Sequence, residues 1–192
     1  MAFVGRSNVG KSRLINALAH KTIARTSAAP GKTRLANVYR VARGAAAPFY
    51  LVDLPGYGYA RGGPDAAAEF ETLTAAYFGQ ERQEGPDRRE GKASPARPAH
   101  PARPADISAL LLVDSRHPGL KSDIEAWRWL RATVERCAIV ATKIDKLSRA
   151  ERLRALKANH AAFEHPVLPV SAVTGEGLDE LWTLIDHLKK SR

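Results

Sequence analysis

An open α/β sheet with its functional site at the carboxyl ends of the strands is the fold this sequence predicts, and three observations carry the prediction. Apolar runs short enough to be buried strands, at 107–113 and 137–141, alternate with stretches of helical period. The residues of unusual chemistry follow those runs instead of interrupting them. Between a short apolar run and an amphipathic one stands Gly5-Arg6-Ser7-Asn8-Val9-Gly10-Lys11-Ser12, the strand–turn–helix setting of a phosphate-binding loop.

Taken in order, residues 1–4 can end a strand and 12–18 can open a helix whose N-terminus faces phosphates. Gly5 and Gly10 allow the tight turn and let backbone N–H groups approach a phosphate. Lys11 supplies a point charge for β- and γ-phosphates, and Ser12 a hydroxyl for Mg²⁺. Residues 20–34 are polar and basic, with a bend at Pro30-Gly31, and read as a loop. Strands follow at 35–41 and 49–52; residues 57–64 are too glycine-rich for regular structure and lead into a helix at 65–78. Residues 80–105 hold five prolines and little apolar bulk beyond alanine. They read as a disordered or extended insertion in a single domain spanning 1–192.

Regular structure resumes with the strand at 107–113, ending at Asp114. Ser122 or Asp123 can cap a helix whose inner face is Ile124, Trp127, Leu130 and Val134. A strand at 137–141 follows, then a helix at 148–158 with Leu153 and Leu156 inward, and a short strand at 167–170. The last helix starts at Gly177 or Leu178, carries the stripe Leu181, Leu184, Ile185, Leu188, and ends in Lys189-Lys190, which complements its dipole.

A chain of 192 residues has room for one well-buried domain. The single Cys137 excludes a disulfide framework and reads as a small core residue in a reducing compartment. No apolar run approaches the roughly 20 residues that span a bilayer, and the first residues read as a phosphate loop instead of a signal peptide. The expectation is a cytoplasmic protein without membrane insertion. The charge of +10 is unevenly placed: residues 1–52 hold nine Lys and Arg and no acid, Asp53 being the first. A positive field around the phosphate loop can help hold a triphosphate and can face a nucleic-acid backbone; a basic solvated surface is the plainer alternative.

Three further features recur at strand ends. Asp53-Leu54-Pro55-Gly56 places an aspartate to hold Mg²⁺ through water and a glycine N–H to meet a γ-phosphate. In Thr142-Lys143-Ile144-Asp145 the carboxylate can accept from N1 and N2 of guanine, a donor pair adenine lacks. Lys143 can lie over the ring, and the Thr142 hydroxyl can tie the loop back. Val170-Ser171-Ala172 falls where backbone N–H groups can complete a base pocket. Each is weak alone; their order and spacing together are specific.

On these residues, with Pro30-Gly31-Lys32-Thr33, Tyr57-Gly58-Tyr59-Ala60 and Arg116-His117-Pro118, the sequence resembles the translation-factor-related GTPases, and more closely the bacterial EngB-type ribosome-biogenesis GTPases, also known as probable septation or cell-division GTPases. The resemblance spans nearly the whole chain outside 80–105. It implies a Ras-like G domain of the P-loop NTPase class, with a mostly parallel sheet and helices on both faces. It implies a monomer that binds GTP or GDP with Mg²⁺, hydrolyses GTP slowly, and associates with the large ribosomal subunit precursor and its rRNA late in assembly. Carried over by position, Ser12 and Thr33 match the Mg²⁺ ligands. Gly31, Lys32, Thr33, Arg34 and Leu35 lie in the first switch, Asp53 to Gly56 lie in the second, and Asp145 matches the guanine reader.

Three departures stand out. Four residues precede Gly5, so the central strand is expected to be short and that edge less stable. The segment 80–105 exceeds the connection expected there, and Ile144 replaces the usual alanine. Tyr57 occupies the position where many GTPases carry a water-orienting glutamine, so slow basal hydrolysis is expected, with Lys11, Thr33 and Gly56 serving catalysis and Asn8 a candidate to seat K⁺. Tyr57 and Tyr59 read as exposed aromatics beside a switch that report its state to a partner, with simple turn aromatics the plainer alternative, and His117 as a structural or partner-facing residue on a turn. A nucleotide-gated binding module in septation is the alternative; an ATP-using phosphotransferase is disfavoured by Asp145.

Overall fold

The computed structural model describes residues 1–24, 36–43, 47–57 and 107–189. The expected helix at 65–78 and the insertion at 80–105 lie outside them. The described elements are β1 (Ala2–Gly5), α1 (Lys11–Ala19), β2 (Asn37–Val41), β3 (Phe49–Asp53), β4 (Ser108–Asp114), α2 (Lys121–Thr133), β5 (Arg136–Thr142), a 3₁₀ turn (Ile144–Lys146), α3 (Arg149–Phe163), β6 (Val167–Pro169) and α4 (Leu178–Lys189). The strands form one sheet in the order β2-β3-β1-β4-β5-β6, in which β2 runs antiparallel to β3 and every other pair is parallel.

Side chains alternate across the pleat, and the sequence supplies apolar residues to both faces. Phe3, Leu110, Leu112 and Val140 point to the layer containing Leu14, Ile15 and Leu18 of α1 and Leu181, Ile185 and Leu188 of α4. Ala2, Val4, Leu111, Val113, Ile139 and Ala141 point to the layer containing Trp127 and Leu130 of α2 and Phe163 of α3. This two-layer covering is why β4 and β5 read as unbroken apolar runs. Each fully buried leucine or isoleucine contributes about 1.5–3 kcal/mol.

The strand β1 is as short as expected, yet all four of its residues are buried, held by four register pairs to β4 and two to β3. Three expectations need correction. Helix α2 starts at Lys121 after Leu120, so Asp123 sits in its first turn instead of capping it; an acid there still suits the helix dipole. In α3 the inner face is Ala155, Asn159 and Phe163, while Leu153 is exposed. Cys137 is half-buried against the α2–α3 layer, where burial pushes its thiol up, instead of lying in the core.

Candidate functional site

The loop between β1 and α1 is shaped by residues that tolerate unusual backbone. Gly10 has φ 109° and Asn8 φ 62°, both left-handed, a region glycine and asparagine enter at low cost. A Cβ on Gly5 would lie 2.7 Å from the Leu112 carbonyl oxygen, so only glycine lets β1 end this close to β4. Helix α1 has no side-chain N-cap and no acid in its first turn, which leaves its N-terminal N–H groups to a ligand. Lys11 is buried and folds back over the loop, its Nζ donating to the carbonyls of Gly5 at 3.0 Å and Arg6 at 3.4 Å. Burial lowers its pKa, with Asp53 opposing. The strong donor is thus held on weak neutral acceptors, where a phosphate can recruit it.

Ser12 Oγ donates to Asp53 Oδ2 at 3.2 Å, across 41 residues of chain. The other carboxylate oxygen of Asp53 is buried with no hydrogen-bond partner among the described residues, and burial raises the pKa of the group against the pull of Lys11 and Ser12. A hydroxyl beside an under-satisfied carboxylate at a phosphate loop is a donor set that fits Mg²⁺ bound mainly through phosphates and water. Thr33, the other expected ligand, lies outside the described residues with Gly31, Lys32, Arg34 and Leu35. Leu54 and Pro55 are buried behind β3, and Gly56 packs on the phosphate loop so tightly that a Cβ would lie 2.5 Å from the Ser7 nitrogen.

Tyr57 overturns its expectation. It is buried, forms a parallel bridge with Arg6, and accepts from the Ser7 N–H through its carbonyl at 3.3 Å. Its hydroxyl donates to Asp123 Oδ1 at 2.9 Å. The ring is therefore turned into the α2 layer instead of outward towards a partner. The Arg6 side chain goes the same way, its Nε 3.1 Å from the same oxygen of Asp123.

On the base side, Thr142 Oγ1 ties the loop as expected, lying 2.6 Å from the Val9 carbonyl oxygen and 3.1 Å from that of Val113. Lys143, at φ 64°, donates to the Asn8 carbonyl and, at 2.9 Å, to Asp114 Oδ2. Ile144 is buried and its N–H donates to Val170. Asp145 stays partly exposed; Ser171 Oγ donates to its Oδ1 at 2.7 Å and Lys146 lies 3.6 Å from its Oδ2. Burial would raise the Asp145 pKa, but the Ser171 hydroxyl and its other hydrogen bonds hold it below the ordinary value, so it is a carboxylate acceptor at neutral pH. The expected backbone donors from 170–172 are reduced: the Val170 N–H is taken by Ala141 and the Ser171 N–H by Glu176, which leaves Ala172.

Two buried aspartates beside the site escaped sequence reasoning, Asp114 and Asp123. Asp114 is buried at the end of β4 and accepts from Arg116 Nε at 3.0 Å and Nη2 at 2.8 Å as well as from Lys143. Burial acts to raise its pKa, yet these two cations carry it well below the ordinary range. An aspartate closing an apolar strand was the available signal, the same one that marked Asp53. Asp123 gave no such signal, because an acid in a first helical turn is commonplace.

Comparison with known proteins agrees with this geometry. Residues 1–143 match the family model described as 50S ribosome-binding GTPase. A solved structure of a probable GTP-binding protein EngB superimposes with a TM-score of 0.65 at 21% identity, over 97% of this chain and 96% of that one. Era bound to MgGDPNP and nucleotides 1506–1542 of 16S ribosomal RNA gives 0.75 at 22% identity, over 100% and 56%. Fold and family match together define a GTP-hydrolysing enzyme built on a Ras-like G domain. The probable GTP-binding protein EngB of Thermotoga petrophila is 38% identical over 99% of this chain and 86% of its own length, and that of Solibacter usitatus 39% identical over 100% and 87%. The chain belongs to the EngB family of GTP-binding proteins. No helix among the described residues is long and apolar enough to cross a membrane.

Proposed function

We propose that this protein is a cytoplasmic GTP-driven switch that binds the large ribosomal subunit precursor late in its assembly and hydrolyses GTP slowly until a partner accelerates it. The observation that carries the switch is the meeting of Ser12, Asp53 and Gly56 at the phosphate loop: Ser12 donates to Asp53, which ends β3, and Gly56 just beyond it packs on Ser7. Guanine selection rests on Asp145, kept ionised and oriented by Ser171, with Lys143 held beside it.

In this reading Lys11 leaves the carbonyls of Gly5 and Arg6 to donate to the β- and γ-phosphates, and the Gly56 N–H meets the γ-phosphate. Mg²⁺, held through Ser12, Asp53 and Thr33, would supply charge neutralisation between the phosphates when bound. Tyr57 is buried away from the attacking water, so no side chain at that position orients it, which supports slow basal turnover. Asn8, whose carbonyl already accepts from Lys143, is the candidate to help seat K⁺. The subunit partner is supported by the description of the matching family and by the acid-free basic run 1–52. Co-sedimentation with purified large subunits in the GTP-analogue state but not the GDP state is the expected result; no sedimentation in either state refutes the partner. Turnover measured in KCl and NaCl, with and without subunits, tests the rest. Fast turnover that is equal in every condition contradicts both the slow basal rate and the K⁺ site.

A further inference from the structure

Asp123 is an expensive residue to keep. It is 1% exposed, 66 positions from Tyr57 in sequence, and its Oδ2 has no hydrogen-bond partner among the described residues. Burial raises its pKa against Tyr57 and Arg6. A buried carboxylate with an under-satisfied oxygen costs stability unless its partners need it. Those partners are the two walls of the phosphate site. Arg6 belongs to the phosphate loop, and its own carbonyl accepts from Lys11 and from the Val9 N–H. Tyr57 directly follows Gly56. Both converge on the same Oδ1, Tyr57 by a hydrogen bond at 2.9 Å and Arg6 as an ion pair at 3.1 Å whose Nε lacks hydrogen-bond geometry.

We propose that Asp123 is a positioning residue for GTP hydrolysis: from the first turn of α2 it holds Arg6 and Tyr57 together and thereby fixes Gly56 against the phosphate loop. Two facts make this more than packing. The backbones of Arg6 and Tyr57 are already bridged, so the carboxylate reinforces a contact between the loops and does not merely fill a hole. A Cβ on Gly56 would lie 2.5 Å from the Ser7 nitrogen, so Gly56 sits directly against the phosphate loop, and the next residue, Tyr57, is the one the carboxylate holds. Among the described residues the clamp meets the phosphate donor Lys11 at the Arg6 carbonyl, 3.4 Å away, while the shorter bond of Lys11 goes to Gly5 at 3.0 Å. Loss of the clamp is therefore expected in the step that involves the γ-phosphate and not in the binding of GDP. The inference rests on the reading of Gly56 as the γ-phosphate donor.

The test is single-turnover hydrolysis and GDP affinity for Tyr57→Phe, Asp123→Asn and the double variant, with Gly56→Ala as reference. Tyr57→Phe removes one hydroxyl and keeps the ring, so it answers the question even if Asp123→Asn folds poorly. The expected result is a loss of hydrolysis rate on the order of tenfold for each single variant, with GDP affinity within about twofold of the parent. The double variant should be little worse than Asp123→Asn alone, because that variant already weakens the link that Tyr57→Phe removes. Unchanged rates in Tyr57→Phe, or GDP affinity falling in parallel with the rate, overturn the inference. If Gly56→Ala itself hydrolyses GTP normally, the reading of Gly56 fails as well; if only Gly56→Ala is impaired, the clamp alone is refuted.

Discussion

Asp53 shows how a site residue trades stability for a ligand. Its folded pKa lies above the ordinary carboxylate value because burial outweighs Lys11 and Ser12. The folded protein thus binds this proton more readily than the unfolded chain, and stability falls as pH rises from about 3.8 through the raised value. At neutral pH the bare carboxylate is a net cost. Replacing Asp53 by Asn keeps the acceptor for Ser12 and removes the charge. The nucleotide-free variant should melt about 2–4 °C higher at pH 7, the shift expected for roughly 1 kcal/mol in a chain of this size. The extra stabilisation that Mg²⁺ gives to the GTP-analogue complex should disappear, which thermal melts with and without EDTA will show. Asp114 has the opposite sign. Its depressed pKa means a contribution present above about 3.8 and lost as pH falls through the folded value. Asp114→Ala should cost about 1–3 kcal/mol at pH 7, less than a fully buried pair because Arg116 and Lys143 keep some access to water.

At the scale of elements, helix α3 separates what a sequence displays from what packing uses. Its capping box is written plainly: Ser148 Oγ and the Ser148 N–H both lie 2.7 Å from Glu151 Oε2, and the Glu151 N–H returns to Ser148 Oγ. Its inner face is not, because Ala155 and Asn159 carry contacts that two leucines advertise. Asn159 Oδ1 accepts from the Gly119 N–H in the turn after β4, and such a polar residue inside a helix face defeats any count of apolar period. Leu153→Lys should change stability by less than about 0.5 kcal/mol, and Phe163→Ala should cost about 3–5 kcal/mol; urea denaturation of the two variants measures both. Gly5 to Ser12, Asp53 to Gly56 and Thr142 to Asp145 were legible because local backbone chemistry dictates their residue types. The direction of the Tyr57 ring and the role of Asp123 depend on a contact spanning 66 residues, which no local pattern encodes. Ser171 lay between these cases: its place in the pocket was readable, but its hydroxyl on Asp145 was not.

Over the whole molecule, the sheet sorts its charges. The described part of the acid-free run 1–52 supplies β1, α1, β2 and most of β3, so the half of the sheet beside the phosphate loop is the basic half. Arg13 and Lys21 are exposed on and just after α1. Neither enters an ion pair among the described residues. By contrast Arg43 is engaged with Asp186 at 3.8 Å and over the Trp182 ring at 4.9 Å. If the large subunit is the partner, exposed cations of this kind contact phosphates and release counterions on binding, which makes affinity fall linearly with salt on a logarithmic scale. Arg13→Glu with Lys21→Glu should then leave GDP binding intact. It should weaken subunit binding at 50–200 mM salt, taking this range as roughly the useful one, and lower the salt slope by about one for each lost phosphate contact. Titrations of subunit binding across that range distinguish the outcomes. An unchanged slope removes these two residues from the interface, and a parallel loss of GDP affinity shows that the field of the basic half serves the nucleotide instead.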